Sequence, residues 1–476
     1  MKRRLIDTSK PASMTVTVIV YGAVAIYIMV GLVNWLLTNS RLSKERVHKE
    51  EAFDVADAGV EYYRWHLAHA ANDYQDGTGH AGPYYHDYKD KDGNILGQFR
   101  LDITAPPLGS TLVTINSTGT TTANPNVKRV IQAKYAIPSL AKYAVVANDN
   151  MRFGAGTETF GPIQSNLGIR FDGLAHNLIS SALSTYTDPD NGLNEWAVYT
   201  QVAPADPRPP TALPSRPDVF VAGRQLSVPA VDFPGLTADL SALKTLGQSA
   251  DGRYFGPSGG LGYLMVLKTN DTFDLYKVTS LQNAPGGCTN QLNQSGWGTW
   301  SVKNKTLLNN YAFPANGVVF LEDHVWIEGQ IQTARLTIAS GKFPEQQSTN
   351  TSITVNNNLL YTTYNGQDVL GLIAQNNFNV GLFSASTLEI DAALIAKNGR
   401  AGRYYYDASC APNSIKTKLT LVGIIGTALR YGFAYTDGTG YTTRIINYDA
   451  NLLYGPPPSF PLSGNQYQIV SWQEVK

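Results

Sequence analysis

Acidic side chains that could perform acid–base chemistry occur at two places in the second half of the chain. Glu322, Asp323, His324 and Glu328 lie in one strand-like run, and Asp391 precedes the second of two similar Leu-Ile-Ala segments. A glycosidase requires two carboxyl groups held about 5–10 Å apart across a sugar, and the sequence does not show that Asp323 and Asp391 meet. Solvated strand edges explain these acids more simply, so the sequence predicts a protein without enzymatic activity.

A second group of potential ligands lies in the polar, aromatic residues 72–97, which we predict to be a surface loop. Nothing in such a loop imposes the geometry that a metal site needs. The sequence also has no Ser/His/Asp order, zinc motif, P-loop or Rossmann fingerprint. We therefore expect no metal and no cofactor. The loop residues considered are His80, His86, Asp87, Asp90 and Asp92.

The two cysteines, Cys288 and Cys410, lie far apart in the chain. Both follow the apolar segment described below, which would place them on the exported side of a membrane, where a disulfide persists. Their spacing does not establish a bond. A Cys288–Cys410 bridge and two buried thiols are both consistent with the sequence.

Composition indicates an exported β protein. Charged residues make up 16% of the 476 residues and cancel formally, so there is no electrostatic case for nucleic acid. Tyrosine is abundant at 27 residues, and glycine and asparagine interrupt short apolar runs. This pattern is typical of many short strands joined by turns.

The chain begins with an element that could anchor it in a membrane. Residues 14–37 are apolar and uncharged, and as a helix they would span about 35 Å. Lys2, Arg3, Arg4 and Lys10 precede them, so the positive-inside rule predicts a cytoplasmic N-terminus and an exported body. We therefore expect a single-pass protein of the cytoplasmic membrane that contacts lipid.

The helical pattern continues beyond the apolar segment through residues 41–71. Apolar residues recur there at spacings of three and four, while the opposite face is charged. Ala52, Ala56 and Gly59 concentrate on the apolar stripe, where they would let a neighbouring helix or the protein's own sheet approach closely. The alternative is a signal-anchor followed by an ordinary juxtamembrane helix.

Residues 49–69 (KEEAFDVADAGVEYYRWHLAH), with the basic leader and apolar helix before them, resemble the start of bacterial type IV pilin-like proteins, and PilX-type minor pilins in particular. The resemblance implies a leader of residues 1–12 with Ala12 and Ser13 at the processing site. It also implies a helix over 13–72 and a pilin-like antiparallel sheet over 73–138. Thr17 stands where major pilins carry a Glu, which fits a minor or tip subunit. The matching positions are Ala52, Ala56, Asp57, Ala58, Gly59, Val60 and Glu61, with Asp57 in place of the usual Glu.

The rest of the chain reads as β structure. Alternating runs at 98–104, 110–119 and 127–136 predict a three-stranded antiparallel meander on the helix. Residues 139–185 and 317–476 then predict two stretches of β-solenoid, a parallel β-helix-like head. Within the second stretch, the Leu-Ile-Ala segments at 372–374 and 394–396 are offset by 22 residues, which suits one turn of a solenoid. An ordinary sandwich with two similar strands is the alternative.

Residues 186–316 are predicted to be an insertion that covers one face or end of the solenoid. Nine prolines fall between Pro189 and Pro234, a short amphipathic helix is expected over 236–250, and a hairpin around Asn270 and Asp271. At the C-terminus, the proline-rich residues 448–461 should form a strap across the last rungs, followed by a final edge strand.

Together these features predict a mainly β protein with a long N-terminal helix: an anchor, a small antiparallel sheet and a solenoid head at the cell surface. The expected function is that of a non-enzymatic envelope protein, either a minor subunit of a type IV filament or a surface-display protein derived from one. Its partners would be other pilin-like subunits, membrane lipid and a surface polysaccharide, and not nucleic acid. The alternatives are a carbohydrate-active β-helix enzyme and a stand-alone adhesin.

Overall fold

The computed structural model describes residues 11–233 and 240–475, with the side chains of residues 11–13 left out. These residues form two compact units. The first contains residues up to 105, 113–135 and from 469 onward, and the second contains 106–112 and 136–468. Most of the predicted leader, residues 1–10, lies outside the described residues.

Helix α1 runs without interruption from Pro11 to His69, a length of 59 residues or about 89 Å. Proline at the first helical position is tolerated because its missing N–H has no intrahelical acceptor there. No proline follows within the helix, and the turn-rich residues after His69 end it. The apolar and charged halves are therefore one continuous rod, as the sequence predicted.

Across residues 11–233 and 240–475, the remaining elements are one further helix, three short 3₁₀ turns and thirty-one strands. Helix α2 is Leu240–Gln248, and the 3₁₀ turns are Leu140–Lys142, Ala408–Cys410 and Ala450–Leu453. The strands are β1 (Tyr84–Lys89), β2 (Ile95–Thr104), β3 (Val113–Thr121), β4 (Lys128–Ala136), β5 (Val145–Ala147), β6 (Met151–Phe153), β7 (Thr157–Phe160), β8 (Ile163–Ser165), β9 (Ile169–Phe171), β10 (Leu174–Ala175), β11 (Ile179–Ser181), β12 (Thr185–Thr187), β13 (Asn194–Trp196), β14 (Val198–Tyr199), β15 (Arg224–Gln225), β16 (Arg253–Phe255), β17 (Gly262–Lys268), β18 (Thr272–Leu281), β19 (Val302–Ala312), β20 (Val318–Leu321), β21 (Val325–Ile331), β22 (Arg335–Ser340), β23 (Ile353–Thr354), β24 (Leu359–Tyr361), β25 (Val369–Ala374), β26 (Phe378–Val380), β27 (Thr387–Ala396), β28 (Ala401–Arg403), β29 (Ile415–Thr427), β30 (Gly440–Tyr448) and β31 (Gln468–Val475).

The first unit is an antiparallel sheet packed on the second half of α1. Its strand order is β1-β2-β3-β4-β31, and β1 to β4 pair in succession as an antiparallel meander. Two of its strands differ from the prediction. Strand β1 lies inside the predicted loop of residues 72–97, because it pairs along its length with β2. Strand β31 borders this sheet and so leaves the predicted second solenoid stretch of residues 317–476.

The second unit is a solenoid whose strands stack in parallel from one turn to the next. Along its main ladder, β16, β20, β22, β25 and β27 pair in sequence order, and β27 pairs with β29. Leu372 lies opposite Leu394 and Ile373 opposite Ile395, so the 22-residue repeat is the register of this ladder. The parallel head predicted from the repeat is confirmed.

The two predicted solenoid stretches form one continuous stack. Residues 425–427 of β29 pair in parallel with β5, and the ladder continues through β8 and β11 to β15. The C-terminal stretch thus precedes the N-terminal one along the stack. The chain between β15 and β16 must return over nine ladder steps, or about 43 Å. Because β16 and β17 are themselves rungs, the second stretch begins well before residue 317.

Both faces of the main ladder are buried, which explains the continuous apolar runs of its strands. One face points into the solenoid core. The other is covered by Val231, Phe233 and the apolar side of α2, and by Leu452 and Phe460 near the C-terminus. The predicted insertion and strap therefore cover a face of the solenoid rather than its end.

The proline-rich strap crosses earlier rungs than the sequence suggested. The side chain of Thr337 on β22 donates a hydrogen bond to the carbonyl of Pro458. A Cβ added to Gly371 on β25 would lie 2.9 Å from the ring of Pro457. The strap thus seals the outer face of β22 and β25, where a missing side chain leaves room for a proline ring.

Candidate functional site

The first half of α1 is an exposed apolar surface. Its large apolar side chains between residues 14 and 37 are 50–86% exposed, as in Val33 and Tyr27. Within the described residues, this helix alone has the length and composition to cross a membrane. The predicted processing residues Ala12 and Ser13 lie in its first turns, where only the backbone is described. Cleavage of the leader at Ala12 and Ser13 stays a prediction.

The small residues of the second half of α1 pack on the protein's own sheet. Ala52 and Ala56 are fully buried. A Cβ added to Gly119 of β3 would lie 2.1 Å from the carbonyl oxygen of Ala52 and 2.4 Å from the amide nitrogen of Ala56. A Cβ added to Gly59 would lie 2.3 Å from the hydroxyl oxygen of Ser117. The sequence allowed either a neighbouring helix or the protein's own sheet to pack on this stripe. In the structure, the sheet packs on it.

Asp323 and Asp391, the two acids that a glycosidase would need close together, lie apart. Asp323 follows β20 and accepts hydrogen bonds from the backbone and hydroxyl of Ser258 at 3.0 and 2.7 Å. Ile390, beside Asp391, pairs with Leu359 of β24, and Leu359 pairs with Gly329 of β21, so Asp391 lies two ladder steps along the stack from β21, or roughly 10 Å. Asp323 precedes the start of β21, and the strand from Val325 to Gly329 adds roughly 13 Å across the stack, so the two acids lie farther apart than the carboxyl groups of a glycosidase.

Asp391 has the ionisation behaviour of a buried carboxyl group. It is fully buried, and burial raises its pKa to about 6 although the amide of Tyr361 and the hydroxyl of Tyr364 donate to it. Its second oxygen has no hydrogen-bond partner among the described residues. This acid is held inside a rung, and the nearby carboxylates of Glu389 and Asp449 add to the effect of burial on its pKa.

Glu322, His324 and Glu328 lie in the same strand-like run as Asp323, and each forms hydrogen bonds within the protein. Burial tends to raise the pKa of Glu322, but ionic and hydroxyl hydrogen bonds from Lys244 and Tyr254 lower it overall. The ring of His324 accepts a hydrogen bond from the amide of Ser352 at 3.0 Å, and burial lowers its pKa. Glu328 accepts a hydrogen bond from a side-chain amide on the next rung.

The histidines of residues 72–97 contact different partners and are not grouped as the ligands of a metal ion would be. His86 pairs with Asp76 at 2.7 Å, whereas His80 contacts the carbonyl of Ala81 at 3.4 Å. Across residues 11–233 and 240–475, no three His, Cys, Asp or Glu side chains are grouped closely enough to hold a metal ion.

Cys288 and Cys410 are joined by a disulfide, with Cα atoms 4.6 Å apart. The bond lies in a small apolar cluster with Leu382, Tyr404 and Tyr406. It ties the segment after β18 to a late rung of the solenoid, and Trp297 of that segment donates to the carbonyl of Tyr405 at 2.9 Å.

Sequence reasoning missed a groove on the side of the solenoid. A cavity of about 1040 Å³ lies where the C-terminal rungs meet the first N-terminal rungs. A second cavity of about 600 Å³ adjoins it, and Gln294, Arg400 and Leu429 line both. The only signal in the sequence is the repeated asparagine after each Leu-Ile-Ala segment, since Asn376 and Asn398 line the smaller cavity.

No family model and no curated protein matches this chain. Among solved structures, it is similar to the competence-associated pilin ComZ from Thermus thermophilus, with 13% sequence identity and a TM-score of 0.33. The similarity covers 90% of this chain and 98% of that pilin.

Proposed function

We propose that this chain is a pilin-like envelope protein and a minor subunit of a type IV filament. The observation that carries the proposal is the uninterrupted helix α1, whose first half is apolar and exposed while its second half is packed on an antiparallel sheet. Such a helix needs lipid or other apolar helices around its first half, because so much exposed apolar surface is unfavourable in water. Neighbouring pilin-like helices would supply that environment in a filament.

In this proposal, the first half of α1 crosses the cytoplasmic membrane with its N-terminus inside, and the second half of α1, its sheet and the solenoid are exported. Membrane lipid surrounds the helix before assembly, and other pilin-like subunits surround it afterwards. The solenoid serves as a binding or display surface rather than as an enzyme. Asp323 and Asp391 are separated by two ladder steps along the stack and by the length of β21 across it, together roughly 16 Å, which supports this part of the proposal.

The membrane step can be tested with two matched substitutions on exposed helix positions. Val24 lies in the middle of the apolar half and is 51% exposed, whereas Val47 lies beyond it and is 52% exposed. A lysine at a helix centre in the membrane costs about 2.5–3.5 kcal/mol. We expect Val24→Lys to move the protein out of the membrane fraction of its host and Val47→Lys to leave it there. Equal distribution of the two variants would refute membrane insertion of this segment.

The filament step requires a separate measurement. Filaments sheared from intact cells should contain the wild-type chain, and deletion of the assembly ATPase should remove it from the sheared material. A chain that stays in the membrane fraction under both conditions is a stand-alone surface protein. That result would overturn the filament role and leave the anchor intact.

A further inference from the structure

The groove on the side of the solenoid is long and follows the stacking direction. Its smaller end lies beside β23, β26 and β28, which stack in parallel. The bridge between Gly402 and Gly432 adds the next level, and the ring of Tyr431 stacks on Phe153 of β6 at 5.1 Å. These four ladder steps give a length of roughly 19 Å. A groove of this shape suits an extended polymer better than a compact small molecule.

The groove walls are held by hydrogen bonds between rungs. The side-chain oxygen of Asn377 accepts the amide of Arg400 at 2.9 Å. Gln294 reaches over from the disulfide-linked segment and donates to the hydroxyl of Tyr435 at 3.1 Å, while its oxygen accepts the amide of Tyr405 at 2.8 Å. Because each contact joins residues that are far apart in sequence, the groove is built by the fold and is not a gap between loose loops.

Three polar atoms in the groove walls lack a hydrogen-bond partner among the described residues. They are the side-chain oxygen of Asn350, one terminal nitrogen of Arg400 and the hydroxyl of Tyr431. Native proteins satisfy most buried polar groups, and an exception calls for an explanation such as a functional role or an ordered water. Here one acceptor, one charged donor and one hydroxyl line the same groove. All three atoms are buried in the groove wall, so a ligand hydroxyl could pair with them only where the covering side chains move aside.

The charges of the groove balance. Four arginines and four carboxylates line the two cavities, so the formal net charge is zero. A site for nucleic acid or another polyanion would carry an excess of Lys and Arg. The charged residues are Arg152, Arg400, Arg430, Arg444, Asp149, Asp172, Asp190 and Glu345.

The carboxylates are already engaged within the protein. Asp190 accepts hydrogen bonds from Arg430 and Arg152 at 2.7 and 3.0 Å, and chiefly the bond from Arg430 lowers its pKa to about 2. Asp172 accepts from Arg170 at 2.7 Å, and Glu345 from Lys397 at 2.9 Å. Asp190, held ionised by its arginine partners, has no proton to donate to a leaving group. The groove is therefore suited to binding and not to cleavage.

Exposed apolar side chains complete the groove. Leu429 is 49% exposed and lines both cavities, and Leu292 is 55% exposed and lines the larger one. Sugar rings present C–H surfaces beside their hydroxyl groups, so they match walls that alternate leucine with hydrogen-bonding side chains.

We infer that this groove binds a neutral, linear polysaccharide along the solenoid axis. The inference rests on the proposed function for one point only, namely that the head is displayed where surface glycans occur. It names the class of ligand that the head would present to a filament or cell surface.

The test is a binding titration of the full-length protein in detergent micelles. The probes are fluorescently labelled amylose, mannan and xylan fragments as neutral glycans, with hyaluronan and a DNA duplex as polyanions. We expect at least one neutral glycan to bind and to remain uncut after prolonged incubation, and the polyanions not to displace it. Absence of neutral-glycan binding, displacement by a polyanion, or cleavage of the glycan would overturn the inference.

Substitutions locate the binding in the groove. Leu429→Ala should remove apolar surface from both cavities and weaken glycan binding by about tenfold, and Leu292→Ala should weaken it in the larger cavity. Leu308 on β19 is 47% exposed and lies outside the groove lining, so Leu308→Ala is the matched control and should bind like wild type. Binding by both groove variants at wild-type strength would refute this site. The sheared-filament measurement does not depend on the groove, so either proposal can fail alone.

Discussion

Gly59 offers the sharpest test of how α1 packs on its sheet. A Cβ at this position would lie 2.3 Å from the hydroxyl oxygen of Ser117 and 2.8 Å from the ring of Phe99. The hydroxyl can rotate away, but the ring of Phe99 is buried in the same interface and has little room to move. Gly59→Ala should therefore force α1 and β2 apart.

The expected magnitude follows from two opposing effects. Overpacking a buried interface costs about 1–3 kcal/mol. Alanine regains about 0.5–1 kcal/mol over glycine inside a helix. The midpoints of these two ranges give a net loss of local stability of about 1.25 kcal/mol, which corresponds to opening that is about eightfold more frequent.

Hydrogen–deuterium exchange of the full-length protein measures this opening directly. Peptides that cover β2 and β3 should exchange faster in Gly59→Ala, while peptides from β27 in the solenoid should not change. Gly31 has no atom within 4 Å of an added Cβ, so Gly31→Ala is the control that alters helix propensity alone. If Gly59→Ala protects β2 and β3 as well as the wild type does, the close packing of helix on sheet is refuted.

Three further outcomes are expected. Thiol labelling under non-reducing, denaturing conditions should detect no free thiol, because Cys288 and Cys410 form a disulfide. Replacing both cysteines with serine should lower the free energy of unfolding by about 2–5 kcal/mol. Two labelled thiols would contradict the bond. The raised pKa of Asp391, about 6 in place of 3.8, means that the folded state holds its proton more tightly than the unfolded state does. Stability should therefore fall by up to about 3 kcal/mol as pH rises from about 4 to 6, and Asp391→Asn should remove that fall in denaturant titrations; an identical pH dependence in both proteins would contradict it. Protease added outside spheroplasts should digest the body after residue 37, and complete protection would refute the predicted orientation.

The sequence alone was sufficient wherever a local pattern dictates the structure. One long helix was predicted from the uncharged residues 14–37 and from the apolar residues that follow at spacings of three and four. This works because the face of a helix is formed by residues three and four positions apart in the chain. The Leu-Ile-Ala repeat predicted the register of β25 on β27, because identical rungs stack with identical residues in line. These features needed no knowledge of distant contacts.

The sequence could not reveal which distant segments would meet. The apolar pattern of β5 shows that it is buried, but not that its partner is β29, almost three hundred residues later. Likewise, the pattern of β31 suits any sheet edge, and only the folded chain assigns it to the first sheet. Strand patterns specify which faces are buried, whereas the choice of partner depends on the whole set of competing pairings.

The groove is the clearest case in which tertiary structure decided the outcome. Arg430 and Asp149 are 281 residues apart, yet the amide of Arg430 donates to the carboxylate of Asp149 at 3.0 Å because the last rungs stack against the first. No spacing in the sequence marks these residues as neighbours. Residues that are close together in the chain determine the helix. The groove exists only because C-terminal rungs of the solenoid stack on rungs from the N-terminal part of the chain.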